Sequence, residues 1–454
     1  MAPALRVGVF TERGIDMSVI DQVTSGLIKG KEEFEYIMDE LSIMPAEDEN
    51  ESGLSADAAV RNALSLSDNV DFMKQLIRNG YSGRFRTIYI DPPFFTKAKF
   101  NASVSVRGTG GDSHRVRHLA FDDRFERSLE CYIENMAVRI LLMKELLAAD
   151  GLLWVHLDWH SSHYVRLILD ELMGEKNFVN EIVWCYKSGG SGKKHFSRKH
   201  DTILVYGRNR QYYISIPEEK SYNRGFKPYN FKGVREYQDE NGWYTLVNMK
   251  DVWNIDMVGR TSAERNGYAT QKPLELMRRI IEAGSEEGDL VGDFFCGSGS
   301  FLEAAEMSGR TWMGCDNEKL AVSLARKRLM ARGADFDSYA LSTAGSAGRI
   351  DVTVIDEHDL ENGRRMFKLK ITDFAPDIDI GYIQNRDREY IEEAAAGDPV
   401  QLIDYVMVDT DFSGTFRCCD LIDNVESEMV IIAPGRVSIV AVDVFGREYD
   451  GGIL

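Results

Sequence analysis

Short apolar runs alternate with longer amphipathic segments over most of this chain, and that alternation constrains the fold more than any other feature of the sequence. Ala63–Leu66 ends at Ser67-Asp68-Asn69 and is followed by a helical segment to Ile77. Thr87–Ile90 is too short for a helix and ends at Asp91-Pro92-Pro93-Phe94. Leu129–Ala148 is helical, Gly151–Leu157 strand-like and Tyr164–Met173 helical again. The rhythm stops at about Val183 and resumes with a helix at Leu274–Ala283, a strand at Leu290–Phe295, a helix at Phe301–Met307 and a strand at Thr311–Cys315. Such alternation predicts a parallel sheet covered by helices on both faces.

The remaining segments differ in kind. Residues 1–60 read as an N-terminal helical extension, near Lys31–Leu41, and a linker with an acidic patch at Glu47–Glu51. Thr96–Arg117 is polar, glycine-rich and too long for an ordinary tight connection. The interruption, 183–268, is aromatic and basic, with 15 Lys and Arg against 9 Asp and Glu. From 344 the pattern is strand-like, as in Arg349–Ile355, Met366–Ile371, Met429–Ile432 and Val437–Val444. This predicts a separate all-β domain over 344–454, leaving 61–182 and 269–343 as two halves of one catalytic unit. A chain ending near Ala344 is then expected to keep its cofactor site. The net charge of −19 is uneven, because Arg349–Leu454 alone holds 23 acidic and 10 basic residues. A basic middle next to an acidic tail does not exclude nucleic acid, since phosphates respond to local clusters.

No run of eighteen apolar residues occurs, and the first residues lack the layout of a signal peptide. The six cysteines are scattered without a CxxC. The expectation is a reduced, cytoplasmic protein with neither membrane span nor zinc site. His156, Asp158, His160 and His163 alternate at a strand end, where they line the crevice beside the catalytic loop rather than bind metal.

Asp293-Phe294-Phe295-Cys296-Gly297-Ser298-Gly299 lies where a buried strand turns into a helix. Gly297 and Gly299 allow a tight turn and let the backbone approach a ligand with no Cβ in the way. No Lys-Ser or Lys-Thr follows, which excludes a phosphate-cradling P-loop. A dinucleotide site would want a third glycine where Ser300-Phe301-Leu302 stands. Asp316, about twenty residues on at the end of the next strand, is where a carboxylate accepts from both ribose hydroxyls of a nucleoside. Glycines and an acid without a phosphate cradle suit S-adenosyl-L-methionine, whose ribose is free and whose sulfonium is positive. Taken alone, the loop is equally an ordinary α/β turn.

Asp91-Pro92-Pro93-Phe94 combines an acceptor carboxylate, two prolines that fix φ and remove backbone donors, and a π-face. An aromatic amine is a poor nucleophile because its lone pair is delocalised. Accepting its N–H bonds at Asp91 Oδ and the Pro92 carbonyl drives the nitrogen toward a pyramidal, reactive geometry while Phe94 stacks on the base. The competing reading is a strand-terminating turn, which Asp-Pro-Pro also suits.

These two motifs resemble the catalytic and cofactor motifs of amino-methyltransferases. Here the catalytic motif comes first, then basic aromatic material, then Thr270-Gln271-Lys272-Pro273-Leu274, then the glycine loop. That order resembles the circularly permuted β class of DNA amino-methyltransferases, which includes the modification subunits of type III restriction systems. The resemblance runs from about Ala63 to Arg332 and takes in Asn180-Glu181-Ile182-Val183-Trp184 and the segment Ser197–Tyr206. It implies a Rossmann-like, doubly wound α/β sheet, circularly permuted, with an inserted target-recognition region. It also implies that Asp91, Pro92, Pro93 and Phe94 hold and activate a flipped base. Phe295, Gly297, Ser298 and Gly299 would cradle the methionine part of the cofactor, with Asp293 supporting the loop. Lys272 would meet the cofactor carboxylate, Asp316 the ribose and Asp68 the adenine amine. Phe94 stands where tyrosine is commoner, Phe294 where proline is usual, and Asp68 lacks the usual preceding glycine.

Within 183–268, Lys187, Lys193, Lys194, Arg198 and Lys199 are the candidate phosphate contacts on double-stranded DNA, the first two flanking a Ser-Gly-Gly-Ser-Gly loop. Interleaved aromatics, about half of them structural, can replace the stacking that an extruded base loses. The expected activity is methylation of adenine N6 in duplex DNA. Its rivals are cytosine N4 methylation and a non-catalytic DNA-binding subunit of a restriction or defence complex. The acidic tail suits a second copy of the chain or a protein partner better than DNA.

Overall fold

The computed structural model describes residues 17–43, 60–107, 113–123, 128–187, 192–259, 261–340, 348–377, 383, 385–414, 416–423, 425 and 428–454. The acidic patch at Glu47–Glu51 and residues Ser188–Ser191 of the glycine-rich loop lie outside these.

Nine strands form one sheet: β1 (Asn62–Leu66), β2 (Phe85–Ile90), β5 (Leu147–Leu157), β6 (Phe178–Cys185), β7 (His200–Gly207), β11 (Val252–Asn254), β12 (Leu290–Asp293), β13 (Thr311–Asp316) and β14 (Phe336–Ala340). Their order is β11–β6–β7–β5–β2–β12–β13–β1–β14. All pairings are parallel except those of β7, which runs antiparallel to both neighbours. The helices are α1 (Val19–Ile43), α2 (Asn69–Arg78), α3 (Leu129–Leu146), α4 (Ser162–Leu169), α5 (Leu274–Gly284), α6 (Ser300–Met307), α7 (Lys319–Met330) and α8 (Asn385–Gly397). The sheet separates two apolar cores, one packed against α2, α3 and α4 and the other against α5 and α6. Central strands are therefore buried on both faces and read as unbroken apolar runs rather than alternating ones.

From β2 the chain winds one way, to β5; from β12 it winds the other way, to β13. β2 and β12 are hydrogen-bonded neighbours, with Thr87 opposite Val291 and Ile88 opposite Gly292. The strand order thus reverses between them, and a crevice opens beyond their carboxyl ends. The two motif loops leave those two ends.

Two segments differ from the sequence expectation. Val183 falls inside β6, and β6, β7 and β11 all belong to the main sheet, because Ile182, Trp184 and the run Ile203–Tyr206 are apolar enough to be buried there. What is inserted is the small sheet β8–β10–β9, formed by β8 (Glu218–Tyr222), β9 (Tyr237–Asp239) and β10 (Gly242–Asn248). Thr96–Arg117 holds most of an antiparallel ribbon, β3 (Lys99–Arg107) and β4 (Ser113–Asp122). The alternation of Ala102, Val104 and Val106, all buried, is its period-two signature.

The tail forms two antiparallel sheets, as its strand-like pattern predicts. One is β15 (Arg349–Asp359), β16 (Arg365–Ala375) and β19 (Glu428–Ala433). The other is β18 (Asp420–Asp423), β17 (Ile403–Asp409), β20 (Ser438–Asp443) and β21 (Glu448–Ile453). The helix α8 is an addition, in a segment rich in Ala and Glu. The tail is also docked on the body. Ala102, Val104, Val106 and Val116 of the ribbon share a core with Ile391, Leu402, Val406 and Phe445. His114 Nε2 lies 3.0 Å from Asp387 Oδ1. On α7, the buried Arg326 donates to Glu448 of β21 at 2.5 Å.

Candidate active site

A cavity of about 530 Å³ occupies the crevice. Its lining includes Asp91, Pro92, Pro93 and Phe94 from the β2 loop, and Asp293, Phe295, Gly297 and Ser298 from the β12 loop. Asp68, Lys272 and Asp316 line it as well. Glu318, Tyr268, Phe301 and Arg139 are neighbours in the same wall that sequence reasoning missed. Gly299 does not line the cavity. Its φ is +76°, and a Cβ there would lie 2.8 Å from the Ala325 Cβ, so this glycine seats the loop on α7. Gly297 has φ +49°, and a Cβ there would come to ordinary contact distance, 3.6 Å, of Tyr268.

The β12 loop is held by its own carboxylates. Asp293 Oδ1 accepts from Phe295 N at 3.0 Å. Burial holds the Asp293 carboxyl well above the ordinary carboxylate range, and the negative charges of Asp91 and Asp316 push the same way. Asp316 Oδ2 accepts from Gly297 N at 2.8 Å and Oδ1 from Glu318 N at 3.0 Å. Each oxygen keeps a second lone pair, so the carboxylate can still accept from hydroxyls. Burial raises Asp316, and burial with repulsion from Asp316 pushes Glu318 up to about 7. Phe294, in the position where proline is usual, is fully buried and packs edge-on against Phe85 at 5.7 Å. Its carbonyl accepts from Asn69 Nδ2 at 2.9 Å, tying the β12 loop to the start of α2. Asp68 caps that helix through Val70 N at 2.8 Å, and its other oxygen meets Arg139 at 3.3 Å.

On the β2 side, Asp91 Oδ2 accepts from Lys272 Nζ, which also donates to the Thr270 carbonyl at 3.2 Å. The buried Asp91 Oδ1 has no hydrogen-bond partner in the chain. His156 Nδ1 approaches it to 3.3 Å, yet that nitrogen is 3.0 Å from the Tyr89 hydroxyl, and Nε2 is 3.2 Å from Asp201 Oδ2. A ring with its proton on Nε2, donated to Asp201, and Nδ1 accepting from Tyr89 satisfies all three and leaves Oδ1 open. Tyr186 donates to the other oxygen of Asp201 at 3.1 Å. Burial opposes ionisation of Asp201, but the interaction with His156, the charge of Lys272 and the Tyr186 hydrogen bond, in that order, outweigh it and hold the carboxyl below its ordinary value. The His156 ring also lies 5.6 Å from the Phe94 ring.

The proline loop is not wholly unpaired, because Tyr132 donates to the Pro93 carbonyl at 3.0 Å. Beyond it, Phe95 and Lys97 both adopt left-handed φ, +61° and +59°. Such backbone persists only where its surroundings over-determine it. Asp123, 1% exposed, does so by accepting from Phe95 N at 3.2 Å and Thr96 N at 2.8 Å. Of the proposed phosphate contacts, Lys193, Lys194 and Arg198 are exposed, and the Arg198 guanidinium lies over the Trp159 ring at 3.8 Å. Lys187 pairs with Asp256 at 3.5 Å, and Lys199 Nζ donates to the Lys187 carbonyl at 3.1 Å. His160 Nδ1 lies 2.6 Å from Asp158 Oδ2, and among the described residues no cluster has metal-site geometry.

Two acid-bearing loops facing one another across the reversal point of a permuted, doubly wound sheet define a Rossmann-like methyltransferase. The DNA methylase family model matches residues 85–327, more than half of the chain, and the chain belongs to that family. It is a DNA methyltransferase, with S-adenosyl-L-methionine as methyl donor. Type II methyltransferase M.EcaI of Enterobacter cloacae is 28% identical over 369 residues, which cover 66% of this chain and 78% of the relative. Type II methyltransferase M2.DpnII of Streptococcus pneumoniae is 29% identical over 252 residues, 54% of this chain and 82% of the relative. The type III restriction-modification enzyme EcoP15I Mod subunit of Escherichia coli is 25% identical over 180 residues, 37% of this chain and 28% of the relative.

Proposed function

We propose that the chain methylates N6 of an adenine extruded from duplex DNA, at a site of its own within a restriction-modification system. The carrying observation is Asp91, which lines the cavity beside Phe94 and whose buried Oδ1 is an acceptor without a donor. An exocyclic N–H donates to Oδ1 and a second to the Pro92 carbonyl, while Phe94 stacks on the ring. The same two acceptors would serve N4 of a cytosine, so the identity of the modified base decides between the two amines.

The cavity also fits the methyl donor. Ser298 Oγ is buried without a partner, Gly297 lines the cavity without a side chain, and three carboxylates (Asp68, Asp316 and Glu318) line the wall. When bound, S-adenosyl-L-methionine supplies an electrophilic methyl group. Asp316 holds the ribose, Asp68 the adenine amine, Phe295, Gly297 and Ser298 the methionine part, and Lys272 its carboxylate, with Asp293 and Gly299 fixing the loop. Lys187, Lys193, Lys194, Arg198 and Lys199 meet DNA phosphates. The functional division is 61–182 with 269–343 for chemistry, parts of 183–268 for recognition, and 344–454 for a partner or second copy, in a cytoplasmic protein.

Expression in methylation-free cells, followed by sequencing that distinguishes N6-methyladenine from N4-methylcytosine, tests this reading. N6-methyladenine at one recurring sequence is expected. N4-methylcytosine would move the target to cytosine, and unmodified DNA would remove the assignment.

A further inference from the structure

Phe196 is 98% exposed, the most exposed large apolar side chain among the described residues. Single exposed apolar residues are commonplace, so its surroundings decide what it means. On one side stand Lys193 and Lys194, and on the other Arg198 and Lys199. The segment is pinned at its far end: Arg198 stacks on Trp159, and Tyr186 N donates to the Lys199 carbonyl at 3.0 Å. Trp159 directly follows Asp158, and Lys199 is two residues from Asp201; both acids line the cavity that contains Asp91 and Phe94. At the near end the His195 ring folds back onto Gly192, filling the place where a Cβ would stand, and His195 Nδ1 lies 2.9 Å from the Phe196 carbonyl. With the His195 ring folded onto Gly192, Phe196 projects into solvent on a segment that carries four cations and leads directly into Asp201 of the crevice wall.

Extruding a base from a duplex costs its stacking and leaves a gap, and apolar wedges inserted between base steps are one way in which proteins open and fill such gaps. An aromatic side chain offers a π-face to any neighbouring base, and flanking cations on phosphates would hold it against the stack. Resting on the reading of the chain as a duplex-DNA methyltransferase, we propose that Phe196 is the wedge that enters the DNA and occupies the space left by the extruded nucleotide. It is a positioning residue: it stabilises the open duplex while Asp91 and Phe94 act on the base.

The test uses the full chain, its Phe196→Ala and Phe196→Trp variants, and synthetic duplexes carrying the methylation site mapped in cells. One duplex is fully paired; in the other the target base faces an abasic position, so that extrusion is already easy. On the paired duplex Phe196→Ala should lose about tenfold or more in single-turnover rate, with Phe196→Trp near the parent. On the abasic duplex Phe196→Ala should match the parent, and S-adenosyl-L-methionine affinity should be unchanged throughout. Equal rates of parent and Phe196→Ala on the paired duplex would overturn the wedge. So would an equal loss on both duplexes, which would make Phe196 an ordinary contact. A parent chain that methylates neither duplex would overturn the DNA reading itself.

Discussion

His156 Nδ1 stands 3.3 Å from Asp91 Oδ1, on a ring with no exposed surface. The imidazole makes no hydrogen bond to the acid; its bulk packs behind the carboxylate and limits how far it can turn, and the oxygen that the target amine needs stays unpaired. Removing it is expected to let the carboxylate turn, and misplacement on the scale of an ångström costs on the order of 100-fold in rate. His156→Ala should show that loss in turnover with cofactor affinity retained, whereas Asp91→Ala should abolish transfer. Calorimetry with S-adenosyl-L-methionine and a methyl-transfer assay separate the two effects; undiminished turnover in His156→Ala would mean that Lys272 alone holds the acid.

Asp316 has two tasks, holding Gly297 N and facing the cavity. Asp316→Ala is expected to weaken S-adenosyl-L-methionine by about 1.5–3 kcal/mol, the scale of a charge-assisted hydrogen bond. A dissociation constant equal to that of the parent would place the ribose on another residue.

Neutralising Lys193, Lys194, Arg198 and Lys199 together should weaken DNA binding and spare the cofactor. Each phosphate that the protein no longer neutralises removes about 0.9 from the slope of log affinity against log salt on a duplex. Isotherms across a salt series read this directly, and an unchanged slope would move the DNA face elsewhere.

Glu318 should leave a mark on stability against pH. Its carboxyl titrates at about 7 in the fold, against an ordinary value of 4.5. Between those values the folded chain holds a proton that the unfolded chain has released, so stability falls as pH rises through the window and levels off above it. The fall attributable to Glu318 is roughly 3 kcal/mol. Asp443, pushed up to about 6 by burial, adds a similar slope at overlapping pH. The difference between parent and Glu318→Gln in denaturant unfolding at several pH values isolates the Glu318 share, and parallel profiles would show that it does not titrate there.

A chain ending at Ala344 is expected to unfold at lower temperature than the whole and to bind S-adenosyl-L-methionine more weakly. It strips the ribbon of its apolar cover and leaves Arg326 without Glu448, and orphaning a buried charge costs roughly 3–5 kcal/mol. Thermal melts and calorimetry of the two chains decide this. Equal values would make the tail the independent domain that its sequence pattern suggests.

The sheet, both motif loops and the β-rich tail were legible because each is written locally, in short apolar runs and in the Gly, Pro and Asp that end them. What was hidden depends on contacts distant in sequence. Asp123 has no motif of its own, and its hold on Phe95 and Thr96 exists only because the ribbon folds back. His156 was visible as a strand-end residue beside the crevice, but its partners Tyr89, Asp91 and Asp201 come from two other strands. The docking of the tail was illegible for a related reason: a tally of its charge says that it is acidic, while Arg326–Glu448 and Lys327–Asp404 place some of that acidity against cations of α7.

The pairing of Thr87 with Val291 has a kinetic consequence. β2 leaves the ribosome well before its neighbour β12 exists, and every strand of the tail comes later still. Non-local parallel pairing is slow, because loop-closure entropy must be overcome before contacts form. Until β12 is made, β2 presents an apolar edge to the cell, Thr-Ile-Tyr-Ile, with no native strand to cover it on that side. Synthesis of this enzyme is therefore expected to pass through an interval with that edge uncovered, which closes when the second motif arrives.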